Sequence, residues 1–105
     1  MKKLTALLAT AFIFYSIGAY AASFAVGQKN KKFTKKVLNI KVGDSVRFTN
    51  EDPFFHNVFS LSPTKTFDLG SYPKGEYRDV TFDSAGKVDV ECAIHPHMRM
   101  TINVK

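Results

Sequence analysis

Short runs in which apolar and polar residues alternate recur along this chain, and they constrain its fold more than any other feature. Val46 and Phe48 alternate with Arg47 and Thr49, and similar alternation occurs in residues 80–82, 88–92 and 100–104. Turn-forming residues separate these runs at positions 43–44, 50–53 and 83–86. Alternation puts every second side chain on the same face of a strand, so that one face is buried. Repeated short strands with turns between them predict an all-β fold, an antiparallel β-sandwich.

The other segments fit this architecture, and none has the periodicity of a helix. Residues 23–26, 37–42 and 56–61 are predicted strands. Residues 29–36 contain a single apolar residue, Phe33, and are predicted to form a solvated edge or loop. Residues 62–75 contain two prolines and two glycines and are predicted to be a long connection, with its aromatic side chains packed beneath it.

The first 21 residues have the layout of a secretory signal peptide. Lys2 and Lys3 precede an apolar segment, and Ala19, Tyr20 and Ala21 provide a small-x-small cleavage site. We therefore expect residues 1–21 to be a signal peptide and residues 22–105 to form one periplasmic domain with no stable membrane insertion. An uncleaved membrane anchor is the alternative, because the apolar segment is nearly long enough to span a bilayer.

The chain is basic, and the basic residues are unevenly distributed. Its net charge is +6, and removal of Lys2 and Lys3 leaves 13 basic and 9 acidic residues, a net charge of +4. Five lysines lie between Lys29 and Lys36. No recognisable nucleic-acid-binding motif accompanies this run, so we do not predict nucleic-acid binding. Docking of this lysine run to an acidic partner protein is an alternative that the sequence does not decide.

Residues 92–100 contain the only cysteine of the chain, two histidines and two methionines. Thiolate, imidazole and thioether together select copper over calcium, magnesium or manganese. Cys92, His95 and Met98 are spaced three apart, so a compact turn stiffened by Pro96 can direct all three side chains at one ion. The remaining histidine, His56, can supply a second imidazole from elsewhere in the fold. A thiol without a disulfide partner is also a liability in an oxidising compartment, and metal ligation is the natural role for it.

On these residues the chain resembles the cupredoxins, small blue-copper electron carriers, and among them the amicyanins and plastocyanins. The amicyanin ligand loop Cys-x-x-His-Pro-x-Met is matched within residues 92–98, and the plastocyanin-like His-Asn-Val stretch is matched by residues 56–58. The resemblance extends from about residue 33 to residue 105. It implies a Greek-key β-sandwich that binds one copper ion near one end, in a type 1 site. The implied ligands are His56, Cys92, His95 and, in the axial position, Met98.

The axial position has a competitor, because plastocyanin-like spacing would select Met100 instead of Met98. Met100 shares one face of the last predicted strand with Ile102 and Val104, so core packing is expected for it. The amicyanin-like spacing, with its proline, favours Met98.

The resemblance also implies roles for residues around the copper. Asn57 is expected to connect the His56 strand to the Cys92 loop by hydrogen bonds. An apolar rim is expected around the exposed edge of His95, where the electron would leave; it comprises Phe54, Phe55 and Pro96. His97 is expected to point towards solvent and is left outside the site.

The implied function is that of a periplasmic electron carrier, not an enzyme. It would act as a monomer that docks transiently with redox partner proteins, a donor dehydrogenase or a cytochrome. A catalytic triad or second metal cluster cannot be assembled from three histidines and one cysteine. Two alternatives stay open: a periplasmic copper storage or delivery protein, and a structural zinc module that uses His56, Cys92, His95 and His97.

Overall fold

The computed structural model describes residues 21–105, which form nine β-strands. The strands are β1 (Ser23–Lys29), β2 (Lys32–Phe33), β3 (Val37–Ile40), β4 (Ser45–Asn50), β5 (His56–Ser60), β6 (Phe67–Tyr72), β7 (Tyr77–Thr81), β8 (Gly86–Cys92) and β9 (Arg99–Val104). The predicted signal peptide lies, apart from Ala21, outside the described residues. Within the described part, no helix is long and apolar enough to cross a membrane.

The strands form two sheets that pack face to face, so the predicted all-β sandwich is confirmed. One sheet has the order β2-β1-β4-β7 and the other the order β3-β9-β8-β5-β6. Two neighbouring pairs, β1 with β4 and β3 with β9, are parallel, whereas the sequence pattern had indicated antiparallel pairing throughout. The difference arises because β3 lies in the second sheet. The chain therefore returns to the first sheet beside β1 in the same direction, instead of through a hairpin.

The alternation in the sequence corresponds to the core between the sheets. Val46 and Phe48 on β4 are fully buried, as are Val88 and Val90 on β8 and Ile102 on β9. The intervening residues of these strands face outwards. Removal of this alternating apolar surface from water is the main contribution to the stability of the sandwich.

The long connection predicted at residues 62–75 contains a strand, β6. The lysine-rich segment, predicted to be a solvated edge or loop, includes the short edge strand β2. β6 is an edge strand with a register shift against β5 and a glycine, Gly70, at a φ of 69°. Phe67 and Leu69 alternate with Asp68 and Gly70, but the alternation stops there, and the prolines and glycines of the segment favour a loop. The last residue of β6, Tyr72, is nevertheless fully buried, as expected for the aromatic residues of this segment.

Strand directions bring the predicted ligands to one end of the sandwich. β5 and β8 are antiparallel neighbours, with Val58 opposite Cys92. The beginning of β5, where His56 lies, is therefore close to the end of β8, where Cys92 lies. Residues 93–98 form the loop that leads into β9 at Arg99.

Candidate metal centre

The side chains of His56, Cys92 and His95 converge at this end of the sandwich. The Sγ atom of Cys92 lies 3.7 Å from Nδ1 of His56 and 3.9 Å from Nδ1 of His95. One potential ligand atom from each residue lies within 4.8 Å of the other two. His56 and Cys92 are buried, and His95 is half-buried. Three of the four predicted ligands are thus brought together by distant parts of the chain.

The separations between these atoms suit a single metal ion. Two metal–ligand bonds of about 2.0–2.3 Å that meet near 120° span roughly 3.7 Å, which is close to the two distances from the sulfur. A thiolate with two imidazoles is also the equatorial donor set of a blue-copper site. The site therefore passes both a spatial and a chemical test for one copper ion.

Met98 is the last residue of the ligand loop, immediately before β9, and is 1% exposed. Its backbone N–H donates to the carbonyl of His95 at 2.9 Å, and its carbonyl accepts from the N–H of Cys92 at 3.3 Å. Met98 is therefore tied directly to two of the ligand positions. Met100 instead pairs with Val90 in the β8–β9 ladder and belongs to the buried core, as its strand position predicted.

Asp52 is a residue of this site that sequence analysis did not identify. Its Oδ2 atom lies 2.7 Å from Nε2 of His56, and Asp52 is 3% exposed. A carboxylate in this position accepts a hydrogen bond from the Nε2–H group of the imidazole. The Nδ1 lone pair is then free to bind a metal. Nδ1 is the atom that faces Cys92. Residues 50–53 are predicted only to be a turn, and no pattern in the sequence indicates the contact of Asp52 with His56.

The same carboxylate holds the turn between β1 and β2. Its Oδ1 accepts a hydrogen bond from the backbone N–H of Asn30 at 2.7 Å. Its Oδ2 accepts a hydrogen bond from the backbone N–H of Lys31 at 3.0 Å. Asn30 and Lys31 both have positive φ angles, 54° and 57°, as required in a two-residue hairpin turn of this type. Burial acts to raise the pKa of Asp52, but the hydrogen bonds from His56, Lys31 and Asn30 outweigh it and hold the pKa below the ordinary value. Asp52 is therefore an anion that joins the hairpin to His56.

Asn57 lies next to His56 and connects two elements of the site through its backbone. Its carbonyl accepts the N–H of Ala93 at 3.0 Å, which fixes the beginning of the ligand loop against β5. Its side-chain Oδ1 is buried and has no hydrogen-bond partner among the described residues. The predicted link between the His56 strand and the Cys92 loop is therefore present, but it is made by the main chain.

Of the three residues predicted to form an apolar rim, Phe54 packs against His95. The ring of Phe54 lies 5.4 Å from the ring of His95 and 5.2 Å from the ring of His56, centroid to centroid. Phe55 and Pro96 are exposed, whereas Phe54 is half-buried. Burial, followed by the charges of His56, Lys31 and His97, lowers the pKa of His95. A lowered pKa favours the neutral imidazole, the form that binds a metal.

His97 stays outside the convergent group. It is exposed, and its ring lies 6.2 Å from that of His95. Among the described residues, the cluster of potential ligand atoms contains His56, Cys92 and His95 but not His97. The four-residue set required by the zinc alternative is therefore not assembled.

Comparisons with known sequences agree with this geometry. Residues 20–105 match the family model for copper-binding proteins of the plastocyanin/azurin family. The methylamine utilization protein MauL of Methylorubrum extorquens is 30% identical over 105 residues, which cover 99% of this chain and 92% of that protein. Amicyanin of Paracoccus denitrificans is 31% identical over 77 residues, which cover 70% of this chain and 59% of that protein.

Solved structures with the same fold include a mutant of amicyanin in the Cu(I) form. It has a TM-score of 0.74 and 27% identity, over 79% of this chain and 82% of that chain. A Cu-containing nitrite reductase, NirK from Thermus scotoductus SA-01, also has a TM-score of 0.74, with 30% identity over 79% of this chain. The matched region is 22% of the reductase chain, so the similarity covers only a small part of that enzyme.

Proposed function

Because this chain belongs to the plastocyanin/azurin family of copper-binding proteins and binds one copper ion, we propose that it is a periplasmic carrier of single electrons between redox proteins. The observation that supports this proposal most is the convergence of one buried thiolate-forming sulfur with two imidazole nitrogens, at 3.7 and 3.9 Å. We propose His56, Cys92 and His95 as the equatorial ligands and Met98 as the axial ligand. The bound copper would supply a one-electron couple between Cu(II) and Cu(I).

The protein's part in this function is to keep the ligands fixed while the electron enters and leaves. His56 is held by Asp52, and Cys92 is fixed through the bond from its N–H to Met98. Ala93, which follows Cys92, is fixed to Asn57 on β5. Outer contacts of this kind set the orientation of metal ligands. Cu(II) and Cu(I) prefer different ligand geometries. Ligands held in a geometry between the two would move little when the copper gains or loses an electron.

We propose that electrons pass through the edge of His95, since His56, Cys92 and Met98 are buried and His95 is not. The rim residues Phe54, Phe55 and Pro96 would provide the apolar contact for transient docking to a dehydrogenase or a cytochrome. The chain itself would be monomeric and not an enzyme. Its four proposed ligands leave no coordination position for a substrate.

We also propose that residues 1–21 are a signal peptide and that the mature chain begins at Ala22. The N-terminal sequence supports this proposal, with two lysines, an apolar segment and a small-x-small site. The periplasm would then be the compartment in which the protein acquires copper.

Electron transfer is tested against copper delivery by repeated redox cycles in the presence of a Cu(I) chelator. The copper-loaded protein is reduced with ascorbate and reoxidised, and retained copper is measured after each cycle. A carrier keeps its metal and its reduction potential through many cycles, with Cys92→Ser as the control that releases it. Transfer of the copper to the chelator within the first reduction would contradict the carrier and support a delivery protein.

A further inference from the structure

Three lysines lie around the proposed exit for the electron. The Nζ atom of Lys31 is 5.6 Å from the centroid of the Phe54 ring, which in turn lies 5.4 Å from the ring of His95. Lys32 and Lys36 line a groove together with Phe33 of β2, His97 and Met98 of the ligand loop, and Arg99 at the start of β9. We call Lys31, Lys32 and Lys36 the lysine face.

The charges of the lysine face are not compensated by the rest of the described chain. Each of the three side chains is exposed, and within residues 21–105 none has a carboxylate partner in an ion pair. Acidic residues elsewhere are paired with other cations; these are Glu76, Asp79, Asp83, Asp89 and Glu91. Arg99 belongs to one of these pairs, with Glu91 at 3.2 Å, so it is not counted in the lysine face. Eight lysines within residues 21–105 have no ion-pair partner, and five of them, including the three of the lysine face, lie in residues 29–36.

Two exposed apolar side chains adjoin the proposed ligands in the sequence. Phe55, immediately before His56, is 55% exposed, and Ile94 in the ligand loop is 50% exposed. Protein–protein interfaces combine apolar contacts with charged groups at the rim, and the charges mainly set the rate and orientation of encounter. Neither a nucleic acid nor a lipid surface exchanges electrons with the site, whereas a redox protein uses the charge, the apolar side chains and the edge of His95 together.

We propose that the lysine face docks a redox partner protein whose surface around its own redox centre is acidic. This inference rests on the proposed electron-carrier function. Attraction between the two surfaces orients the partner so that its centre approaches the edge of His95 across the apolar rim. Electrostatic steering of this kind raises association rates about tenfold or more at low ionic strength and loses its effect as salt screens the charges.

The test measures electron transfer from the reduced, copper-loaded protein to an acidic c-type cytochrome by stopped flow, with a basic c-type cytochrome for comparison. The variant K31E/K32E/K36E reverses the lysine face. The control K41E/K105E reverses two lysines at the opposite end of the sandwich, which lie in one groove and, like those of the lysine face, have no ion-pair partner within residues 21–105. K31E/K32E is its charge-matched counterpart on the lysine face. Absorption spectra and reduction potentials establish that all three variants keep the copper site.

The proposal predicts that reversal of the lysine face lowers the second-order rate with the acidic cytochrome about tenfold at low ionic strength. The control K41E/K105E should change the rate much less than K31E/K32E, and all rates should converge at high salt. The basic cytochrome should react faster with K31E/K32E/K36E than with the wild-type protein. Equal rates for K31E/K32E and K41E/K105E, or a wild-type rate that does not fall with salt, would overturn the docking proposal and leave the carrier proposal intact.

A failure of the carrier proposal looks different, because wild type and all three variants would then lose copper on reduction or exchange electrons with neither cytochrome. That result would overturn both proposals.

Sedimentation with vesicles of phosphatidylglycerol and phosphatidylcholine tests whether the lysine face binds a membrane surface instead. Binding of the wild type but not of K31E/K32E/K36E, with unchanged cytochrome kinetics, would assign the lysines to a membrane surface and overturn protein docking.

Discussion

The carboxylate of Asp52 lies 2.7 Å from Nε2 of His56, and both side chains are almost completely buried. The same carboxylate accepts the backbone N–H groups of Asn30 and Lys31. One buried anion thus sets the tautomer of a proposed copper ligand and stabilises a hairpin turn that carries part of the lysine face. A negative charge that is hydrogen-bonded to a metal ligand should stabilise Cu(II) more than the less positive Cu(I).

We predict that Asp52→Asn raises the reduction potential. Asparagine keeps one acceptor oxygen for Nε2 of His56 but removes the charge, so Cu(II) is stabilised less relative to Cu(I). A tenfold change in the ratio of the two affinities corresponds to about 59 mV for a one-electron couple, and we expect a rise of that order. Cyclic voltammetry measures it, with the exposed neighbour Glu51→Gln as control. An unchanged or lower potential in Asp52→Asn would contradict the proposed electrostatic role.

The axial ligand is tested by a pair of leucine substitutions. We predict that Met98→Leu raises the reduction potential strongly, because loss of a weak thioether ligand stabilises Cu(I). Met100→Leu should leave the potential almost unchanged and cost less than about 1.5 kcal/mol of stability, as a volume-conserving change in the core. Voltammetry and thermal unfolding distinguish the two effects. A large shift in potential for Met100→Leu but not for Met98→Leu would identify Met100 as the axial ligand and contradict the assignment of Met98.

The strands with regular alternation could be predicted from the sequence because each has one face in the core. β4, β8 and β9 are examples, and their positions also placed Cys92 and the ligand loop correctly. β6 was missed because its alternation covers only four residues and the segment contains two prolines and two glycines, which favour a loop. Asp52 was missed for another reason: its contact with His56 is made in three dimensions across an irregular segment, where spacing alone has no defined meaning. Parallel pairing of β1 with β4 likewise depends on the crossing between sheets and not on any local pattern.

A buried polar contact in the core gives a prediction about stability. The hydroxyl of Tyr72 accepts a hydrogen bond from Nε2 of Gln28 at 2.6 Å and donates to the carbonyl of Phe48 at 3.1 Å. Tyr72→Phe leaves Gln28 without this partner, so we expect a loss of about 1–3 kcal/mol in the free energy of unfolding at pH 7. Urea unfolding measures the loss, and the exposed Tyr77→Phe should change stability by less than about 0.5 kcal/mol.

The pH dependence of this effect follows from the same burial. Burial raises the pKa of Tyr72 to about 12, above its ordinary value of 10.0, although the hydrogen bond from Gln28 opposes the rise. The stabilising contribution of the protonated hydroxyl is therefore complete below pH 10 and is lost as the pH rises towards 12. The difference in stability between wild type and Tyr72→Phe should shrink over that interval. A difference that stays constant from pH 9 to pH 12 would contradict the assignment.

Cleavage before Ala22 would create a charged contact at the start of β1. The backbone nitrogen of Ala22 lies 2.8 Å from Oδ1 of Asp44, whose other oxygen accepts the N–H of Lys41. In the mature chain this nitrogen would be an ammonium group. We predict that Asp44→Asn lowers the melting temperature more in a chain that begins at Ala22 than in one extended by two residues. Equal effects in the two chains would contradict an ion pair at the mature N-terminus, and mass spectrometry of the secreted protein tests the cleavage itself.

The contribution of Asp44 should also depend on acidity. Hydrogen bonds from the backbone of Lys41 and Ala22 hold the pKa of Asp44 below the ordinary value of 3.8. Its stabilising contribution is therefore present above that value and is lost as the pH falls through the lower folded-state pKa. Acid unfolding of Asp44→Asn should accordingly be less steep in pH than that of the wild type.

The visible absorption spectrum of the protein loaded with one equivalent of Cu(II), recorded beside Cys92→Ser, tests the proposed ligand set most directly. If Cys92 binds copper as a thiolate with His56, His95 and Met98, the wild-type protein will have an intense blue or green charge-transfer band that Cys92→Ser lacks. A wild-type protein that holds one equivalent of Cu(II) without that band would contradict the proposed centre, and with it the electron-carrier function.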